Sequence, residues 1–199
     1  LQTAQNGGKP FPAEKFVNKI PVKKHDHVLI PAGTVHCSGA DTMVLEISAT
    51  PYIFTFKLWD WGRVDLDGKP RPIHLEHGAA NIQRYRNTEW VHKNLINAVA
   101  EVYSDENGTV VRTGLHEREF LDTFRFTTSS ALPVHRNGSV HMLNLVDGTR
   151  AVLRSKSDAF PPLELHYAET CIVPQAAGDY EIYSPDGSEV KVILACVRN

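Results

Sequence analysis

The sequence predicts an all-β protein built from short antiparallel strands, and three observations lead there. Short segments rich in β-branched and aromatic residues recur along the chain, several alternating apolar with polar. Turn pairs separate them: Asp67-Gly68, Asn107-Gly108, Asn137-Gly138, Asp147-Gly148 and Pro185-Asp186-Gly187. Helical patterns are few. This rhythm indicates a sandwich or barrel.

Taken in order, Ala13 to Ile20 is a helix candidate. Strands are expected at Val28 to Ile30, Met43 to Ser48 and Ile53 to Trp59. Thr88 to Val99 is the second helix candidate, with Thr88 as N-cap and Trp90, Val91, Leu95, Ile96 and Val99 forming an uneven apolar stripe. Six more strands are expected: Glu119 to Thr127, Val140 to Val146, Arg150 to Ser155, Thr170 to Val173, Tyr180 to Tyr183 and Val190 to Val197. DHVLIPAG at Asp26 to Gly33 aligns without gaps on ETCIVPQA at Glu169 to Ala176, which predicts two related sheets. After the first copy comes Thr-Val-His; after the second comes Ala177-Gly178-Asp179-Tyr180, with no histidine nearby.

With 199 residues and 42% apolar content the chain can bury one good core or a pair of small fused ones. A net charge of -2 gives no field to recruit nucleic acid. No apolar run approaches the roughly 18 to 20 residues that span a bilayer, and the start has no signal-peptide pattern. Neither a nucleic-acid nor a membrane partner is expected, and the cytoplasm is the expected location. The three cysteines, Cys37, Cys171 and Cys196, are widely spaced without a CxxC pair, so they are expected as buried small apolar residues. The chain starts at Leu1, and the expectation is that it is the later part of a longer polypeptide.

The stretch IPAGTVHCSG, Ile30 to Gly39, ends an apolar strand in a glycine turn and delivers His36 three residues after Gly33. Glycine permits a turn that a side chain would obstruct, and the imidazole can bind metal or move a proton. PAGTVH resembles the second metal motif of the cupin barrels, PxGxxH. VLEIS at Val44 to Ser48 and TFKLWDWGRVDLDGKPRPIHLEHG from Thr55 to Gly78 resemble the class I mannose-6-phosphate isomerases. TEWVHKNLIN, HEREFLDTFRF, SVHMLNLVDG and HYAETCIVPQAAGDYEI extend the resemblance over nearly the whole chain.

The resemblance implies cupin-type antiparallel β-barrels or jelly rolls: residues 1–100 as the C-terminal part of a metal-site barrel with its connection, and 101–199 as a second, metal-free barrel. It implies an isomerase that interconverts mannose 6-phosphate and fructose 6-phosphate, with His36 as one ligand of a divalent ion, usually zinc. The remaining ligands would lie in the missing N-terminal part of the same protein, so this chain by itself would bind metal poorly. Glu46, Lys57 and Arg63 match the family's glutamate and two basic residues, although the family more often has arginine where Lys57 stands. Lys57 and Arg63 would serve the phosphate and the enediolate, while Glu46 would position sugar hydroxyls or shuttle a proton. Each also has a bland reading: Glu46 in a salt bridge to Lys57 or Arg63, Lys57 facing outward, and Arg63 stacked on a tryptophan.

Other histidines are weighed against the same chemistry. His25 and His27 form an HxH pair without the glutamate that should follow, and are expected as exposed strand or turn residues. His74 and His77 are expected in packing, and His135, His141 and His166 as surface or satisfied histidines. The alternative to an enzyme is a non-catalytic cupin module that binds sugar or regulates.

Overall fold

In the computed structural model of this chain, which describes residues 1–48 and 55–198, the regular β-structure lies in the second of two units, Leu1–Ile96 and Asn97–Asn199. The second unit has ten strands: β1 (Ala100–Asp105), β2 (Gly108–Arg112), β3 (Leu121–Thr128), β4 (Ala131–Val134), β5 (His141–Asp147), β6 (Arg150–Ser155), β7 (Leu163–His166), β8 (Thr170–Val173), β9 (Tyr180–Tyr183) and β10 (Val190–Val197). They form a six-stranded sheet in the order β1-β2-β3-β10-β5-β8 and a four-stranded sheet in the order β4-β9-β6-β7. Every pairing is antiparallel. This is the antiparallel two-sheet structure expected of a cupin-type jelly roll.

Alternation explains why the sheets face one another. Along β10, Val190, Val192, Leu194 and Cys196 point inward while Lys191 and Ile193 are half-exposed, the period of two that a pleated strand imposes. The same cluster takes Val110, Phe126, Leu143, Leu145 and Val173 from the six-stranded sheet, and Leu132, Leu153, Leu165, Tyr180 and Ile182 from the four-stranded one. One core therefore lies between both sheets. At the end of β10, Arg198 and Arg112 converge on Asp122 at 2.9 and 2.6 Å.

Expected and observed strands coincide for β6, β8, β9 and β10, and β3 and β5 differ by one or two residues at their ends. Four strands are additions: β1, β2, β4 and β7. Three of them lie at sheet edges. An edge strand is only half engaged, so it carries polar residues, as AEVYSD does in β1, or proline, as Pro133 does in β4.

The first unit departs further from the sequence expectation. Val28 to Ile30 is reduced to a bridge from Val28 to Ile96, and Met43 to Ser48 has no regular structure. Residues 55–59 carry no strand, and the rest of the expected Ile53 to Trp59 strand lies outside the described residues. β-propensity alone does not make a strand, because its N–H and C=O groups need a ladder partner. Among the described residues these segments have none beyond that one bridge.

Among the described residues three short helices occur: α1 (Gln2–Gln5), α2 (Leu75–Asn81) and α3 (Thr88–Asn94). The helix expected over Ala13 to Ile20 is a single 3-10 turn, Ala13–Lys15. Asn87, not Thr88, caps α3, its side-chain oxygen accepting from Trp90 N at 3.0 Å. The expected continuation to Val99 fails because the Leu95 carbonyl accepts from Leu29 N at 2.9 Å and Ile96 pairs with Val28. None of the helices among the described residues is long and apolar enough to cross a membrane. Cys196 is buried as expected and Cys171 half-buried, but Cys37 is exposed.

Candidate functional site

The Pro31–Gly33 turn follows directly from its residues. Pro31 is buried, Thr34 N returns to the Pro31 carbonyl at 3.1 Å, and Thr34 Oγ1 donates to the same oxygen at 2.7 Å. Gly33 has φ +84°, and a Cβ there would collide with the Asn81 carbonyl oxygen and lie 2.8 Å from Gln83 Cγ. The glycine is thus required both by its left-handed backbone and by close approach. The turn delivers His36 to an exposed position.

His36 Nδ1 lies 2.9 Å from the Thr34 carbonyl oxygen. A carbonyl only accepts, so this bond requires the ring proton on Nδ1 and leaves the Nε2 lone pair outward. That is the tautomer a metal-ligating histidine presents. The other sequence-predicted residues stand as follows. Lys57 is half-buried, its Nζ 3.6 Å from Asp60 Oδ2. Arg63 is exposed, its N–H donating to the Asp60 carbonyl at 2.9 Å and its carbonyl accepting from Arg71 N at 3.2 Å. Glu46, expected to point into a barrel, is exposed, and among the described residues the segment around it makes no ladder that would enclose an interior.

The structure therefore brings Lys57 and Arg63 onto one loop organised by Asp60, a residue the sequence reading passed over. Asp60 is buried; Arg71 Nε lies 3.0 Å from its Oδ2 and Lys57 Nζ 3.6 Å from the same oxygen. Two cations around one buried carboxylate offset the cost of desolvating it. A carboxylate between Trp59 and Trp61 with basic residues at both ends of the loop was the available signal. His74 and His77 take the packing role expected of them: Phe56 stacks on His77 at 5.5 Å, and His74 Nδ1 accepts from Lys57 N at 3.2 Å.

Helix α2 lies between the two halves of this arrangement. Its Gly78 abuts Leu58 and Phe56, and its last residue, Asn81, abuts Gly33. Arg86 was also passed over. Its Nη1 lies 2.9 Å from the Pro31 carbonyl, 2.7 Å from the Ala32 carbonyl and 2.6 Å from Thr34 Oγ1.

Catalytic zinc takes three protein ligands plus water. Among the described residues no group of three His, Cys, Asp or Glu is placed to hold an ion. His36 offers one nitrogen, so the described residues do not fit a complete metal centre.

No protein-family model matches the chain. It is 35% identical over 63 residues to the mannose-6-phosphate isomerase of Streptococcus mutans serotype c, which covers 32% of this chain and 20% of that protein. The chain is similar to mannose-6-phosphate isomerases. A second such relative, mannose-6-phosphate isomerase ManA of Bacillus subtilis, is 33% identical over 63 residues, again 32% of this chain and 20% of the relative. The crystal structure of the mannose 6-phosphate isomerase from Bacillus subtilis superposes with a TM-score of 0.50 at 14% identity, covering 69% of this chain and 38% of that one. That likeness concerns the fold. The match thus spans about a fifth of the length of the curated isomerases.

Proposed function

We propose that this chain is a C-terminal portion of a metal-dependent mannose-6-phosphate isomerase, an enzyme interconverting mannose 6-phosphate and fructose 6-phosphate. The observation that carries this reading is the 35% identity to an enzyme of that name, over 63 residues. The outward Nε2 of His36 on a glycine turn supports it. In this proposal residues 1–100 belong to the metal-site barrel and 101–199 form the metal-free one. His36 contributes one ligand of a divalent ion, zinc, and the other ligands and the first metal motif belong to a part of the polypeptide that this chain lacks. A cytoplasmic location belongs to the same proposal.

Moving a proton between C1 and C2 of a hexose phosphate passes through an enediol, with negative charge growing on oxygen. A divalent ion held by His36 together with ligands from outside this chain would supply Lewis-acid stabilisation of that charge. The residues of this chain have separate tasks. Arg63, exposed on the Asp60 loop, is the proposed phosphate ligand, since a guanidinium matches phosphate geometry. Lys57 shares its charge with Asp60 and adds a second positive group at the same loop. Glu46, exposed, positions the sugar hydroxyls or carries the proton between carbons.

The test is His36→Ala in the full-length polypeptide. Loss of both bound zinc and mannose 6-phosphate turnover is expected, and wild-type values for both would remove His36 from the site. The other reading, a cupin module that binds sugar without turnover, predicts hexose phosphate binding with no isomerisation in the wild-type protein.

A further inference from the structure

We propose that Arg86 is the positioning residue of His36: by holding the Pro31–Thr34 turn closed, it keeps the ring proton of His36 on Nδ1 and its Nε2 lone pair outward. The inference rests on the reading of His36 as a ligand. It adds a residue fifty positions away in sequence that acts through the turn.

The turn brings three oxygens together: the carbonyls of Pro31 and Ala32 and the hydroxyl of Thr34. All three lie within 2.9 Å of Arg86 Nη1. Oxygens converging in this way repel each other unless a cation stands between them, and charge-assisted bonds are the strong ones. The Thr34 hydroxyl accepts from Arg86 and donates a hydrogen bond to the Pro31 carbonyl. Thr34 also supplies the carbonyl that His36 Nδ1 engages. The guanidinium thus fixes the residue whose carbonyl selects the tautomer.

Arg86 is itself constrained. Its guanidinium carbon lies 5.5 Å from the ring centres of both Tyr85 and Trp90, which meet edge to face at 5.5 Å. Its Nε is buried with no hydrogen-bond partner among the described residues. Leaving that group unpaired is costly, so the contacts made by Nη1 must outweigh it. The α3 segment that begins beside Arg86 also ends against the residues that lead into the turn, through Leu29 N to the Leu95 carbonyl at 2.9 Å. Residues 83–96 therefore cradle residues 28–34 from both ends.

The test is nitrogen-15 NMR of the neutral His36 ring in the wild-type protein, Arg86→Ala and Arg86→Lys. The wild type is expected to show the Nδ1–H form. Arg86→Ala is expected to move the ratio toward Nε2–H by roughly fivefold or more, the loss of one hydrogen bond. Arg86→Lys, which keeps the charge without the fork, should restore part of the shift. An unchanged ratio in Arg86→Ala overturns the proposal. Should Arg86→Ala fail to fold, Thr34→Val removes one of the three acceptors with Arg86 in place; it is expected to shift the ratio in the same direction, and an unchanged ratio there overturns the proposal equally. A shifted ratio combined with full isomerase turnover in His36→Ala would overturn the functional reading and leave the positioning role standing.

Discussion

The Tyr180 hydroxyl, on β9, lies 2.9 Å from Nδ1 of His141, on β5, so a hydrogen bond joins the two sheets through their core. His141 Nε2 lies 3.2 Å from Asn137 Oδ1, which leaves Nδ1 as the acceptor of the tyrosine proton. Both side chains are almost fully buried. Burial, with the Arg136 charge adding to it, pushes the imidazole pKa down to about 4, and burial likewise holds Tyr180 well above the ordinary tyrosine range.

The stability of the second unit is therefore expected to depend on pH through His141. The folded pKa is depressed from 6.5 to about 4, so below 6.5 the unfolded chain takes up a proton that the folded one refuses. Stability is complete above 6.5, falls by on the order of 1 kcal/mol per pH unit as pH drops toward 4, and levels off below that. Urea midpoints followed by far-UV circular dichroism at pH 7, 6 and 5 measure it. His141→Gln should flatten the difference between pH 6.5 and 4; an equally steep fall in that variant would assign the slope to other groups.

Gly33→Ala is expected to destabilise the first unit by ~1–3 kcal/mol, the size of a strained left-handed residue, with the clash against Asn81 and Gln83 adding to it. Trp59, Trp61 and Trp90, all three tryptophans of the chain, lie in that unit, so tryptophan fluorescence reports its unfolding. A denaturation midpoint equal to wild type would contradict the turn as described.

On the proposed function, Arg63→Ala is expected to raise KM for mannose 6-phosphate by roughly 10- to 100-fold, the value of one charged hydrogen bond. Lys57→Ala should raise it less, since Lys57 already spends part of its charge on Asp60. Steady-state kinetics on the full-length polypeptide decide the order. A larger effect for Lys57 than for Arg63 would reverse the assignment of the phosphate ligand.

Leu143→Ala removes a fully buried side chain from the cluster between the sheets and is expected to cost ~2–5 kcal/mol. Thermal unfolding followed by circular dichroism measures it, and a loss under 1 kcal/mol would mean that the core closes around the gap.

Strands β6, β8, β9 and β10 were legible residue by residue because their alternation is local, and the Gly33 turn because the residues that form it are neighbours in sequence. Asp60 and Arg86 were passed over. The charges flanking the Asp60 loop are a local signal, but its partner Arg71 lies eleven positions on, and Arg86 acts on oxygens more than fifty positions earlier, which leave no mark in its own neighbourhood.

Met43 to Ser48 shows the same limit from the opposite side: its apolar residues satisfy a strand pattern, yet Met43, Val44 and Leu45 are exposed. By itself the sequence determined the antiparallel β-character of the second unit, its inward-facing residues and the glycine turn before His36. All of these depend on spacings of a few residues. Only the tertiary structure decided which segments find ladder partners, which cations gather around Asp60 and what holds the His36 turn. A backbone hydrogen bond or an ion pair needs a second group, and here that group is brought in from a distant part of the chain.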